Sequence, residues 1–80
     1  MMNVKITRGV INSLKKGKEK ILEEYEMQRQ LAYMAEIKYI KIGNFRMANF
    51  ARVKQSCLDT HISWCEGMIT GYKISLSLMK

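Results

Sequence analysis

Eighty residues make one small domain, 1–80, and a chain of this size hides only about 60% of the surface its unfolded form exposes. Two cysteines and one histidine exclude a disulfide framework and a self-contained four-ligand zinc site. Fourteen Lys and Arg against seven Asp and Glu give a net charge of +7, which points to an acidic partner: nucleic acid, an anionic membrane surface or an acidic protein groove.

The charge is uneven along the chain. Residues 1–20 hold six basic and one acidic side chain, and 21–40 hold two basic and four acidic. Residues 41–60 hold four and one, and 61–80 two and one, so the first quarter is the most basic and the second quarter is the acidic one. The densest tract is Lys15, Lys16, Lys18 and Lys20, preceded by Lys5 and Arg8. Clustered lysines bind nucleic-acid backbones without reading sequence. With Val10, Ile11 and Leu14 as an apolar side, the same segment would also suit an anionic lipid surface. Its ordinary reading is a solvated lysine-rich stretch of helix. No aromatic residue is interleaved, which weakens the nucleic-acid case.

From Val10 the apolar positions run Val10/Ile11, Leu14, Ile21/Leu22, Tyr25, Ala32/Tyr33 and Tyr39/Ile40. Steps of three and four residues mark one stripe of an amphipathic helix. Lys18, Arg29 and Glu36 fall inside that stripe, and Arg29 has no evident acidic partner. From Leu31 to Ile42 the segment is apolar nearly all round, which implies contact on more than one side. Gly43 then suits the left-handed position past a helix end, and Asn44 suits the cap of the next helix.

The second stripe runs Met47, Phe50/Ala51, Cys57/Leu58, His61/Ile62, Cys65, Met68/Ile69, Tyr72, Leu76 and Met79, interrupted by Lys54. There is no proline to break either helix. The expected fold is therefore all-α: a long antiparallel two-helix hairpin, about 8–42 and 44–70 or beyond. The termini are open to a rival reading. Val4 and Ile6, and Tyr72, Ile74, Leu76 and Leu78, alternate with polar residues as short strands do. In a hairpin closing at 43–44, position i faces roughly 86 or 87 minus i, so Lys54 would lie within reach of Glu36.

Cys57, His61 and Cys65 recur every fourth residue. On a helix, two of them could share a metal, but Cys57 and Cys65 lie about 12 Å apart along the axis, too far for one site or a disulfide. All three are expected in the apolar seam. No metal and no cofactor is expected. No Gly-rich phosphate loop, paired-carboxylate signature or nucleophile elbow is present, and a thin hairpin offers no water-excluding cleft, so the chain is not expected to be an enzyme.

Off the stripes stand Phe45, Trp64 and Tyr33. Trp64 and Val53 share the otherwise polar face of the second helix with Arg46, Arg52 and Thr60, and exposed Trp beside Arg resembles an interaction hot spot. Gly67 and Gly71 on that face would permit close approach of another helix. The partner surface is therefore placed at Trp64, Arg46, Arg52, Val53 and Phe45. The function expected is non-enzymatic binding of a larger protein as adaptor, regulator or inhibitor, alone or as a homodimer. The alternative is nucleic-acid binding through Lys15, Lys16, Lys18 and Lys20, and membrane attachment ranks last. No N-terminal stretch resembles a signal peptide, and two cysteines without a framework fit a reducing cytoplasm. Short, basic, Lys/Ile/Met-rich chains without a metabolic motif resemble accessory proteins of phages and other mobile elements, a likeness of style that implies action on a host factor.

Overall fold

The computed structural model describes residues 4–79. Helix α1 spans Val4–Lys41 and helix α2 spans Phe45–Leu78, and the two pack along their lengths as an antiparallel hairpin of 63 × 15 × 14 Å. The hinge is three residues. Gly43 takes φ +76°, a region that costs a residue bearing a Cβ. Its N–H donates to the Ile40 carbonyl at 3.1 Å, and the Asn44 N–H donates to the Tyr39 carbonyl at 2.8 Å, the two bonds of a Schellman ending. The Asn44 side chain in turn accepts from the Met47 N–H at 3.2 Å and so caps α2.

The seam follows the heptad spacing of a left-handed coiled coil. On α2 it steps by three and four: Ala48, Ala51, Gln55, Leu58, Ile62, Cys65, Ile69, Tyr72 and Leu76 are all buried or half-buried. On α1 it includes Ile11, Lys15, Lys18, Leu22, Tyr25, Ala32, Glu36 and Tyr39, again buried or half-buried. The fully covered core is thin, comprising Ala32, Ala48, Ala51, Leu58, Cys65 and Ile69. Alanines line the seam near the hinge, and Leu58 and Ile69 carry its centre. Burying each of those two contributes about 1.5–3 kcal/mol.

Several expectations need correction. The ends are not strands: helix persists through 4–41 and 45–78, and no strand occurs among the described residues. Tyr72 and Leu76 lie on the seam while Ile74 and Leu78 are exposed, so the helical period decides over the alternation. Cross-helix contacts bracket the expected register, with paired numbers totalling 86 at Tyr25–His61, 88 at Arg29–Asp59 and Glu36–Arg52, and 91 at Glu36–Gln55. Lys54 is exposed, and the seam passes through Gln55 instead. Glu36 therefore meets Gln55 and Arg52, not Lys54. Arg29 is not partnerless: it pairs with Asp59 across the helices. Cys57 and His61 are exposed, leaving Cys65 alone of that trio in the core.

Candidate protein-interaction surface

Trp64 is 70% exposed and Phe45 is 69% exposed, both on α2. They stand nineteen positions apart, about 28 Å along the helix axis. The five residues expected to form one surface are thus divided between two places. Phe45, Arg46, Arg52 and Val53 gather toward the hinge, all exposed, and Trp64 stands alone near the middle of α2.

At the hinge end, Ile40, Phe45, Ala48, Asn49 and Arg52 line a shallow groove of about 270 Å³. A second, of about 380 Å³, lies on the outer side of α1 between Met34, Ile37, Lys38, Lys41 and Ile42. Ile40, Ile42 and Phe45 are exposed here because the three-residue turn leaves no chain to cover them. Lys38, Lys41 and Arg46 are exposed around them and leave the rim basic. Arg52 differs from these cations, since its Nε donates to Glu36 Oε2 at 2.8 Å. Glu36 also accepts from Gln55 Nε2 at 3.0 Å, and Gln55 reaches the Ala51 carbonyl at 3.3 Å. The Gln55 and Arg52 hydrogen bonds hold the Glu36 carboxyl below its ordinary pKa, against the opposing effect of partial desolvation.

Trp64 keeps different company from that expected. His61 stacks on Tyr25 of α1 with ring centroids 5.3 Å apart, and Trp64 meets His61 edge-on at 6.4 Å. Ile21, Tyr25, His61, Trp64, Cys65 and Met68 share one groove of about 170 Å³ with the Lys18 stem. Arg46 and Val53 take no part in it. Gly67 and Gly71 meet no close neighbour, since a Cβ added at either would contact nothing within 4 Å.

The four lysines of the basic tract also separate. Lys15 and Lys18 sit on the seam, half-buried, with Lys15 Nζ 3.8 Å from Glu19 Oε1. Lys16 and Lys20 are exposed. Lysine stems can cover apolar surface while their ammonium groups stay wet, and this accounts for two lysines at seam positions.

Comparison with protein families, curated proteins and solved structures finds no match for this chain. The surface therefore has to be read from its own chemistry. Among the described residues, no group of three His, Cys, Asp or Glu side chains could hold a metal ion. No described helix is long and apolar enough to cross a membrane. Sequence reasoning missed Met34, Ile37, Ile40 and Ile42 at the hinge end, although the all-round apolar character of 31–42 was their signal. It also missed the Tyr25–His61 stack, which depends on register and leaves no trace in either helix alone.

Proposed function

We propose that this chain is a non-enzymatic binding protein that docks its hinge end on a larger protein and acts as adaptor, regulator or inhibitor. The observation that carries this reading is the exposed apolar tip, Ile40, Ile42 and Phe45, ringed by Lys38, Lys41 and Arg46. A large aromatic anchor with basic residues at the rim is the arrangement that concentrates binding energy at protein interfaces. Its complement is an apolar groove bordered by carboxylates, with the charges speeding encounter more than they add affinity. The setting is a reducing cytoplasm, and the accessory style of the sequence fits a mobile element acting on a host factor.

A second reading, nucleic-acid binding, is supported by the net charge and by the exposed Lys16 and Lys20. Affinity capture from native cells, with and without nuclease, separates the two. The expected result is a protein that stays bound after nuclease and is lost when Phe45→Ala is the bait. Capture that collapses on nuclease treatment, and whose recovery falls steeply with salt and with neutralisation of Lys16 and Lys20, gives the nucleic-acid reading instead.

A further inference from the structure

We infer that the face carrying Trp64 is covered by a second copy of this chain, so that two hairpins form an antiparallel four-helix bundle. The basis is a second heptad row on each helix. On α1, positions spaced four and three apart from Val10 to Ile42 include Leu14, Ile21 and Leu31. On α2, positions spaced three and four apart from Met47 to Leu78 include Phe50, Trp64 and Met68. Five of these six are exposed, and Ile21 is half-buried. The rows have the same repeat as the seam that joins α1 to α2, so each helix can supply knobs to two neighbours at once.

Both rows lie on one side of the hairpin. Ile21 from α1 lines the same groove as His61, Trp64 and Met68 from α2. The interhelical ion pairs Arg29–Asp59 and Arg52–Glu36 lie on the other side, since Asp59 and His61 stand roughly 200° apart around α2. At a heptad repeat, each second row is turned about 100° from the seam. That is close to the right angle between neighbouring contacts of a helix in a square bundle, where facing helices cross at about 20°.

Charge argues for a copy of the same chain. A two-fold interface sets a surface against itself, so like charges on it would repel. Of the ten positions in each row, only Glu24, Lys38 and Lys54 are charged, whereas the chain as a whole carries +7. Val53, Thr60, Gly67 and Ile74 border the row, and beyond them toward the ion-paired side α2 is polar, with Asn49, Ser56, Ser63, Thr70 and Ser77 all exposed. The size also suffices. A face 63 Å long and about 15 Å wide offers on the order of 900 Å² per copy, against about 800 Å² per partner in a standard stable interface. The thin core of the single hairpin supplies the need, because small domains commonly complete their burial by self-association.

This inference does not rest on the protein partner proposed for the hinge end. Phe45→Ala should remove that partner and spare the dimer, whereas Trp64→Lys should do the reverse. The test is sedimentation of the full chain over a wide concentration range, with Trp64 emission followed on the same samples. Expected are a passage from one chain to two as concentration rises, a blue shift of the indole across that passage, and slower alkylation of the exposed Cys57, which lies in the α2 row. Trp64→Lys and Leu31→Lys should each raise the dimer dissociation constant at least about 30-fold. Ser63→Lys adds the same charge on the polar side and should change it by only about twofold. A chain that stays single at the highest concentration with Trp64 in water overturns the inference, and would leave the face to a different protein or to solvent. So does a dimer that survives Trp64→Lys and Leu31→Lys together but is broken by Ser63→Lys.

Discussion

Glu36 on α1 accepts a hydrogen bond from Gln55 on α2, Nε2 to Oε1 at 3.0 Å, and the pair sits on the seam itself. The charged carboxylate is the form that this contact and the Arg52 guanidinium favour, so the folded pKa lies below the unfolded one. Such a group adds stability above the ordinary glutamate value of about 4.3, and the contribution is lost as pH falls through the folded value. Thermal melts of the wild type and Glu36→Gln should therefore differ by a constant amount near neutrality and converge in acid. A gap that widens in acid would contradict the assigned interaction.

Two glycines give opposite predictions for an added methyl group. Gly43→Ala forces a Cβ into positive φ and should cost about 1–2 kcal/mol. Gly67 is mid-helix with open space around it, so Gly67→Ala should stabilise by about 0.5–1 kcal/mol. Asn44→Ala removes the cap on the Met47 N–H and should cost about 1 kcal/mol. Denaturant titration of the three variants reads all three signs.

Arg29 and Asp59 tie the helices together by a side-chain hydrogen bond, yet both remain about half exposed. Solvent screening of that kind limits an ion pair to less than about 1 kcal/mol. A double-mutant cycle with Arg29→Ala and Asp59→Ala should return a coupling below that value and falling with salt. A larger, salt-insensitive coupling would mean that the pair is shielded from water.

The two cysteines should behave unlike one another. Cys57→Ser should leave the melting of the dilute protein nearly unchanged, because the side chain is exposed. Cys65→Ser places a hydroxyl in the seam and should cost about 1–3 kcal/mol. Equal effects at the two positions would show that the seam does not run through Cys65.

Gly43 and Asn44 made the hinge legible, because a left-handed helix ending and a capping side chain leave few alternatives for either residue. The seam was legible to within one residue, and that residue mattered. Apolar side chains occur in adjacent pairs, such as Cys57/Leu58 and His61/Ile62, which leaves the axis of the stripe undetermined by about 100°. Choosing Lys54 over Gln55 follows from that ambiguity, and so does placing Cys57 and His61 inside. The exposure of Trp64 could be read from one helix. Its neighbours could not, since Tyr25 and Ile21 arrive from the other helix at a distance in sequence that only register specifies. Arg29 was misjudged for a related reason: Asp59 lies beside the seam, off the stripe on which a partner was sought.

Because α1 and α2 run antiparallel from a three-residue hinge, the stretch of chain enclosed by each contact lengthens steadily from the hinge to the free ends. Joining Tyr39 to its neighbours on α2 closes a short loop, whereas joining Ile11 to the far end of α2 closes nearly the whole chain. Closure entropy grows with the logarithm of loop length, so each step costs little more than the last once the previous one has formed. The hairpin is thus built to zip from the turn outward, as a chain of nearest-neighbour steps with mostly small sequence separations at the start. Lesions near Ala48 and Ala51 would act on nucleation and slow folding, whereas those near Ile11 or Tyr72 would act after it and quicken unfolding.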